Sequence, residues 1–400
     1  MLTKDELKAL VIKNQNGLRK NLGIQRNFVV KQHDSFATII SGVRRCGKST
    51  LIKQYVETMS PVYYMHFEDV GLANFKLEEF ERLDEVFQET LGKNGVYFFD
   101  EIQNIKGWEI FIRQLVDAGK KVLITGSNAS MLSRDLGTRL TGRHLSYELY
   151  PFSFSEYIGL HKKKPSEKSF GQYLLDGGFP EYLKSKNPDI LRTLFQDILY
   201  RDILVRNDIR NEASLKALLA YVSSNISKEV SYTKLKSVVD VGSVNTISQF
   251  IDAFESAYLF FAVKKYDASL KKQLMNPKKI YCIDNAFIQF NAFSTSPNLG
   301  RLLENTVFIE LKRRNLEIFY YSNDGECDFV TRKDNAIQDI IQVCYDLHAE
   351  NKEREIRGIL KAAKEFSLKN ALLLTYNQED SLKIDGVTIH MKPVWKWLLE

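Results

Sequence analysis

The ten residues 41–50, Ser-Gly-Val-Arg-Arg-Cys-Gly-Lys-Ser-Thr, constrain this chain more than any other stretch. Gly42, Gly47, Lys48 and Ser49 fill the phosphate-loop pattern G-x-x-x-x-G-K-[ST] without a mismatch. Residues 36–41 read as a short buried strand and residues 49–58 as a helix. Between such a strand and helix, the backbone N–H groups from Gly42 through Val43, Arg44, Arg45 and Cys46 to Thr50 form a concavity for phosphate oxygens. The positive end of the helix dipole points to the same place. Lys48 is expected to reach the β- and γ-phosphates of ATP, and the Ser49 hydroxyl to hold Mg²⁺. A chance match in a glycine-rich turn is the alternative, and the flanking strand and helix argue against it.

Residues 96–101, Val-Tyr-Phe-Phe-Asp-Glu, run four bulky apolar side chains into two carboxylates. A strand buried on both faces of a parallel sheet reads as such a continuous run. Its carboxyl end emerges where open α/β sheets bind ligands. Asp100 is expected to hold Mg²⁺ and Glu101 to act as general base on water. A third short strand, 121–125, ends in Gly126-Ser127-Asn128. Asn128 either senses the γ-phosphate or, like Ser127, caps the helix that follows. In Gly137-Thr138-Arg139-Leu140-Thr141-Gly142-Arg143, Arg143 and Arg139 are both candidates for an arginine finger, acting in cis or from a neighbouring subunit. Two solvated loop arginines are the alternative.

Four hundred residues with 44% hydrophobic and 26% charged side chains make an ordinary globular chain of two or three domains. No apolar run approaches a membrane span. The charged N-terminus is unlike a signal peptide. Cys46, Cys282, Cys327 and Cys344 are scattered without a CxxC, which argues against a zinc site and a disulfide frame and suits the cytoplasm. A net charge of +6 permits nucleic-acid binding without demanding it.

Taken together, residues 41–50, 98–101, 126–128 and 137–143 resemble the AAA-type P-loop ATPases, in the prokaryotic subgroup with a C-terminal domain of unknown function. Gly177-Gly178-Phe179-Pro180-Glu181-Tyr182 and Ile341-Gln342-Val343-Cys344-Tyr345-Asp346-Leu347 are further marks of that subgroup. The resemblance implies ATP and Mg²⁺ binding at the matching residues and names no substrate.

Further along, residues 231–239 and 243–257 read as two helices joined by Asp240-Val241-Gly242, with helix-turn-helix spacing. Residues 258–265 and 278–283 read as the strands of a wing. Lys264, Lys265, Lys271, Lys272, Lys278 and Lys279 fall on or between them, against only Asp267. Such a 264–279 wing suits DNA phosphates. The second helix nevertheless offers no Arg or Lys and carries Asp252 and Glu255, which favours protein contacts or a second copy of the chain. From 301 onward the order is helix, three strands, helix, strand, which resembles the restriction-endonuclease-like fold. Asp328 stands where that fold's first acid belongs, but Gln342 replaces the Glu and Cys344 the Lys. A Gln carbonyl brings hard Mg²⁺ no charge, and Glu304 restores the site only in part.

The fold expected is therefore α/β. A P-loop parallel sheet spans 1–160, a helical linker 161–207, a winged-helix-like domain 208–298, and a degenerate restriction-endonuclease-like domain 299–400. The function expected is a Mg²⁺-dependent ATPase whose hydrolysis gates the C-terminal domains. The alternatives are a DNA-binding protein with ATP as a switch and an ATP-regulated nuclease.

Overall fold

The computed structural model describes every residue except 21, 32, 34, 130–139, 141 and 292–297. The chain forms two compact units, Met1–Leu149 with Ser256–Tyr258, and Tyr150–Glu255 with Leu259–Glu400.

The first unit opens with α1 (Lys4–Leu18), started by Thr3, whose side chain accepts from the Glu6 N–H while Glu6 reaches back. Then follow β1 (Ala37–Ser41), α2 (Lys48–Tyr55), β2 (Val62–His66), α3 (Phe80–Leu91), β3 (Val96–Asp100), α4 (Trp108–Asp117), β4 (Val122–Gly126) and β5 (His144–Glu148). The five strands lie in the order β2-β3-β4-β1-β5, every pair parallel. Strands β1 and β4 are buried along their whole length, as their apolar runs require. Phe67, Phe80, Phe99 and Phe111 pack together in the core, with Phe80 stacked on Phe111 at 4.7 Å between centroids. This is the P-loop nucleotide-binding fold expected from the sequence. The order gathers the carboxyl ends of β1, β3 and β4 at one edge.

The second unit begins with helices α5 (Phe154–His161), α6 (Glu167–Asp176), α7 (Pro180–Ser185), α8 (Pro188–Asp197) and α9 (Glu212–Ser224). Between α6 and α7 the chain turns at Gly177 and Gly178. Gly177 has φ +68°, and a Cβ on it would meet Asp284 Oδ1 at 1.8 Å. The Gly178 N–H donates to Asp284 Oδ2 at 2.7 Å. The Gly-Gly-Phe-Pro stretch is thus a turn closed around a buried carboxylate 106 residues away in sequence.

A mixed sheet of nine strands follows, built from β6 (Glu229–Val230), β7 (Phe260–Lys265), β8 (Lys278–Cys282), β9 (Glu317–Asn323), β10 (Gly325–Lys333), β11 (Ala336–Cys344), β12 (Asn370–Thr375), β13 (Asp380–Ile384) and β14 (Val387–Pro393). Its order is β13-β14-β12-β11-β10-β9-β7-β8-β6. Helices α10 (Tyr232–Val238) and α11 (Val244–Ser256) precede β7, α12 (Leu270–Met275) lies between β7 and β8, and α13 (Asn285–Asn291) and α14 (Leu299–Arg313) precede β9. Helix α15 (Ala349–Glu365) joins β11 to the parallel β12, and α16 (Val394–Trp397) ends the chain. The expected order from 301 onward is observed as far as β12, but the chain then adds the antiparallel pair β13–β14 and α16, which the sequence reading did not include. The two expected wing strands pair antiparallel, but they are no free hairpin, because Lys264 of β7 pairs with Phe319 of β9 in the same sheet. Among the described residues no helix is long and apolar enough to cross a membrane.

Candidate functional site

The loop between β1 and α2 closes tightly on itself. Gly42 has φ +154°, and a Cβ there would lie 2.1 Å from the Leu149 carbonyl oxygen, so no side chain fits. Gly47 has φ +103° and occupies the N-cap of α2 without a side-chain cap. The first N–H groups of α2 are therefore left for an anion. Val43 and Cys46 are buried and offer the loop only their backbone, Arg45 (φ +60°) is exposed, and Thr50 is half-buried. Cys46 Sγ donates to the Leu149 carbonyl at 3.3 Å. Arg26 Nη1 donates to the Cys46 carbonyl at 2.7 Å. These bonds brace the loop from behind.

Lys48 is 4% exposed. Its ammonium donates to the carbonyls of Gly42 at 3.0 Å and Val43 at 3.1 Å, and lies 3.5 Å from Glu101 Oε1. Burial is the largest influence and opposes its charge, but Glu101, Cys46 and Asp100 together outweigh burial and raise its pKa. Ser49 Oγ donates to Asp100 Oδ1 at 2.9 Å, which brings the two expected Mg²⁺ ligands together from the first turn of α2 and the end of β3. A hydroxyl beside a carboxylate is the hard oxygen set that Mg²⁺ takes. Thr125 Oγ1 also donates to Asp100 Oδ1. Burial pushes the Asp100 carboxyl up, yet His66, Thr125 and Ser49 together hold it below the usual range. Glu101 stands just past β3 with φ +54°, a left-handed conformation unusual for a side-chain-bearing residue. Its N–H donates to Thr125 Oγ1 at 3.1 Å, and its Oε2 accepts from the Ser127 N–H at 3.2 Å and from Gln103. Burial raises its pKa, Lys48 lowers it, and the balance is a lowered value.

Asn128 is buried at the tip of β4, next to the Ser127 amide that holds Glu101. Arg139 lies outside the described residues. Arg143 requires a correction. Its carbonyl accepts from the Ala37 N–H, and β5 starts beside it, in register with the first residue of β1. Both strands run parallel from there, so Arg143 sits at the amino edge of the sheet and the phosphate loop at the carboxyl edge. Its guanidinium pairs with Asp117. Arg143 cannot act in cis.

Several site residues escaped the sequence reading. His66 Nδ1 lies 3.4 Å from Asp100 Oδ2, and Tyr64 OH donates to the same oxygen at 3.3 Å. Both come from β2, which the topology places beside β3. Arg44 binds Glu68, just past β2, with Nη1 and Nη2 each 3.0 Å from Oε1. Thr125 and Gln103 hold the two acids. The apolar run in β2 ending in His66-Phe67-Glu68 is the signal that could have pointed to them.

The lysine-rich segment also differs from expectation. Lys271 and Lys272 are exposed on α12, and Lys264 and Lys265 are half-buried. Lys278 and Lys279 are buried. Lys278 Nζ donates to the carbonyls of Gln273, Leu274 and Asn276 at 2.6–2.9 Å. Lys279 Nζ lies 2.9 Å from Asp328, 2.7 Å from Glu326 and 3.5 Å from Glu304. Neither can meet DNA. The acids read as remnants of a metal site thus surround an ammonium. Gln342 faces other partners, accepting from the Asp328 N–H at 3.1 Å and donating to Glu355 at 2.6 Å. Among the described residues no group of three His, Cys, Asp or Glu is placed to hold a metal ion.

Comparison with known proteins agrees with this geometry. Residues 34–158 match the family described as AAA domain, and residues 167–294 match a domain of unknown function, DUF8612. The uncharacterized protein MJ1544 of Methanocaldococcus jannaschii is 32% identical, covering 98% of this chain and 94% of that one. An uncharacterized protein of Haemophilus influenzae is 30% identical, over 91% and 94% of the two chains. Among solved structures, Cdc6p of Pyrobaculum aerophilum is similar at 14% identity and TM-score 0.27, covering 66% of this chain and 87% of that one. The ORC1 protein of Aeropyrum pernix, in complex with DNA, is similar at 12% identity and TM-score 0.32, covering 75% and 94%. Those scores are too low to bear on function. The two relatives, by contrast, match from end to end, and the chain belongs to their family of proteins with an N-terminal AAA domain.

Proposed function

We propose that this protein is a Mg²⁺-dependent ATPase whose hydrolysis gates its C-terminal domains. One observation carries the reading: Lys48, Ser49, Asp100 and Glu101 meet at the carboxyl edge of the parallel sheet, in contact with one another. In this reading the backbone from Gly42 to Thr50 cradles the phosphates. Ser49 and Asp100 would hold Mg²⁺, which would supply positive charge to the phosphate oxygens. Lys48 leaves the Gly42 and Val43 carbonyls for the β- and γ-phosphates. Its departure removes the main charge that holds Glu101 low, so Glu101 becomes a stronger base as the substrate arrives. Glu101 then accepts a proton from the attacking water as the water oxygen bonds to the γ-phosphorus and the bond to the bridging oxygen breaks, releasing ADP and phosphate. In this reading the Ser127 amide and Gln103 hold Glu101 in place, with Asn128 beside them at the γ-phosphate end.

Steady-state ATP hydrolysis with Glu101→Gln as the blank tests the reading. Turnover above the blank supports it, and turnover equal to the blank reduces the protein to a nucleotide-binding module. The same assay with duplex DNA addresses the winged-helix reading of α10, α11, β7 and β8. Only Lys264, Lys265, Lys271 and Lys272 remain for phosphate contacts. Leu270, Leu274 and Met275 on α12 are 65%, 58% and 75% exposed beside them, which favours a protein partner. A nuclease reading draws no support from Asp328, whose carboxylate is taken by Lys279 and by the Val343 N–H at 3.0 Å.

A further inference from the structure

We infer that Arg44 is a γ-phosphate ligand supplied from within the chain, and that Glu68 holds it in reserve until a triphosphate enters. The inference rests on the ATPase reading and adds a role that the loop motif does not contain, since Arg44 fills one of the motif's unspecified positions.

Placement is the first argument. Arg44 lies two residues past Gly42, in the loop that follows β1, and Glu68 lies two residues past the end of β2. In the sheet, β4 and β3 stand between those two strands. An ion pair from the loop after β1 to the segment after β2 therefore passes over the carboxyl ends of β4 and β3. Glu101 and Ser127 follow those two ends directly. At about 4.8 Å per strand the gap is roughly 14 Å, a span that two long side chains can bridge.

Chemistry is the second. The pair is two-pronged, with Nη1 at 3.0 and 3.3 Å from the two Glu68 oxygens and Nη2 at 3.0 Å from Oε1. A guanidinium fork that fits a carboxylate fits a phosphate equally well. The side chains are only 11% and 21% exposed, so the pair is largely shielded from solvent. The Arg44 charge already acts on both Lys48 and Glu101, the two groups between which the γ-phosphate has to lie if they do what is proposed. Arg143, the other described finger candidate, is at the opposite edge.

Competition is the third. A γ-phosphate entering beside Glu68 meets a like charge, and Arg44 can bind either anion with the same fork. ADP presents no such rival. Release of Arg44 from Glu68 is therefore a response to the third phosphate alone.

The test measures ATP and ADP affinity separately, by displacement of a fluorescent ADP analogue with Mg²⁺ present, in the non-hydrolysing Glu101→Gln background. Arg44→Ala is expected to weaken ATP by ~10- to 100-fold and ADP by less than ~3-fold. Glu68→Gln, which keeps the side-chain shape, is expected to tighten ATP by ~3- to 10-fold with ADP unchanged. Arg44→Lys keeps the charge, loses the fork and should fall between, which guards against a loop that fails to fold after truncation. Equal losses for ATP and ADP in Arg44→Ala would mean that the pair merely pins the loop, and would overturn the inference. So would a Glu68→Gln variant that weakens ATP. If Lys48→Ala binds both nucleotides as tightly as its parent, the ATPase reading itself fails, a result separate from either.

Discussion

The hydroxyl groups of Ser41 and Tyr258 lie 2.6 Å apart, one residue before the phosphate loop begins. Tyr258 is 1% exposed, has φ +58°, and belongs with Ser256 and Ala257 to the compact unit of the phosphate loop, although the chain on either side belongs to the other unit. The Ser256 carbonyl accepts from the Ala129 N–H at 2.8 Å, just past Asn128. Ser256, the last residue of α11, and Tyr258 thus sit within the first unit at the carboxyl ends of β4 and β1. Tyr258→Phe removes the buried hydroxyl that bonds Ser41 and Glu148, a loss of about 1–3 kcal/mol. It is expected to lower the thermal midpoint by a few degrees and, under the gating proposal, to change ATP turnover more than twofold at temperatures where the fold is intact. Unchanged turnover would remove this segment from the gating proposal.

Lys48→Ala takes away the ammonium that faces Glu101, and tight nucleotide binding should go with it, by ~100-fold or more in an equilibrium titration. Glu101→Gln keeps the shape and the acceptor oxygen but not the base. It should bind ATP as the parent does and retain it, with turnover lower by a factor of ~10²–10⁴. A Glu101→Gln protein that turns over normally would transfer the general-base role elsewhere.

Arg143→Ala separates the two ways a finger can be supplied. Because Arg143 stands at the amino edge of the sheet, single-turnover hydrolysis in dilute protein should remain within about twofold of the parent. A deficit that grows with protein concentration would identify a finger given to a neighbouring copy. A deficit at every dilution would contradict the strand register.

Much of this site was legible because its signals are local. The phosphate loop is contiguous, and the apolar run into Asp100 and Glu101 marks a buried parallel strand and its carboxyl end at once. Arg143 was open to the same logic, since a residue that enters a parallel strand must lie at the edge opposite the ligands. Lys278 and Lys279 carried a signal too: neighbours in a strand point to opposite faces, so both cannot line one DNA-facing surface. What sequence could not supply was the partner of each charge. Glu304, Glu326 and Asp328 reach Lys279 from elements that only the sheet order brings together, as Glu68 reaches Arg44 and Asp284 reaches Gly178. The family marks at 177–182 were visible as glycines and a proline. Their physical reason, a turn wrapped on a remote carboxylate, was not.

Lys279→Met probes the second buried charge cluster. Burial opposes the Lys279 charge, but Asp328 and Glu304 hold its pKa well above the usual value. Glu304 in turn is pushed up to about 8 by burial and by Asp328 beside it. Removing the ammonium leaves three acids without their central partner, and breaking such a pair costs about 3–5 kcal/mol. The thermal midpoint of the second unit should fall markedly, with partial recovery at acidic pH as the acids take up protons. A midpoint equal to the parent's would show that Lys279 is not the charge that balances this cluster.

Asp284 gives the second unit a defined pH dependence. Burial raises its pKa to about 7, against the opposing N–H groups of Gly178 and Ala286 and the charge of Arg313. In the unfolded chain the same carboxyl loses its proton near the ordinary value of 3.8. Between those two values the folded state holds a proton that the unfolded state has released. This contribution to stability is therefore fully present below the lower value and is lost as pH rises through the upper one, with a slope of up to ~1.4 kcal/mol per pH unit. Urea unfolding followed by fluorescence of Trp395 and Trp397 should show a midpoint that declines from pH 5 to pH 7 and then levels as far as this group is concerned. Asp284→Asn cannot titrate. It should be less stable at every pH, because its amide meets one of the two N–H donors, but the decline should flatten. If the slope from pH 5 to pH 7 is the same in Asp284→Asn, another group carries it, and the carboxylate at the Gly177–Gly178 turn is ionised throughout.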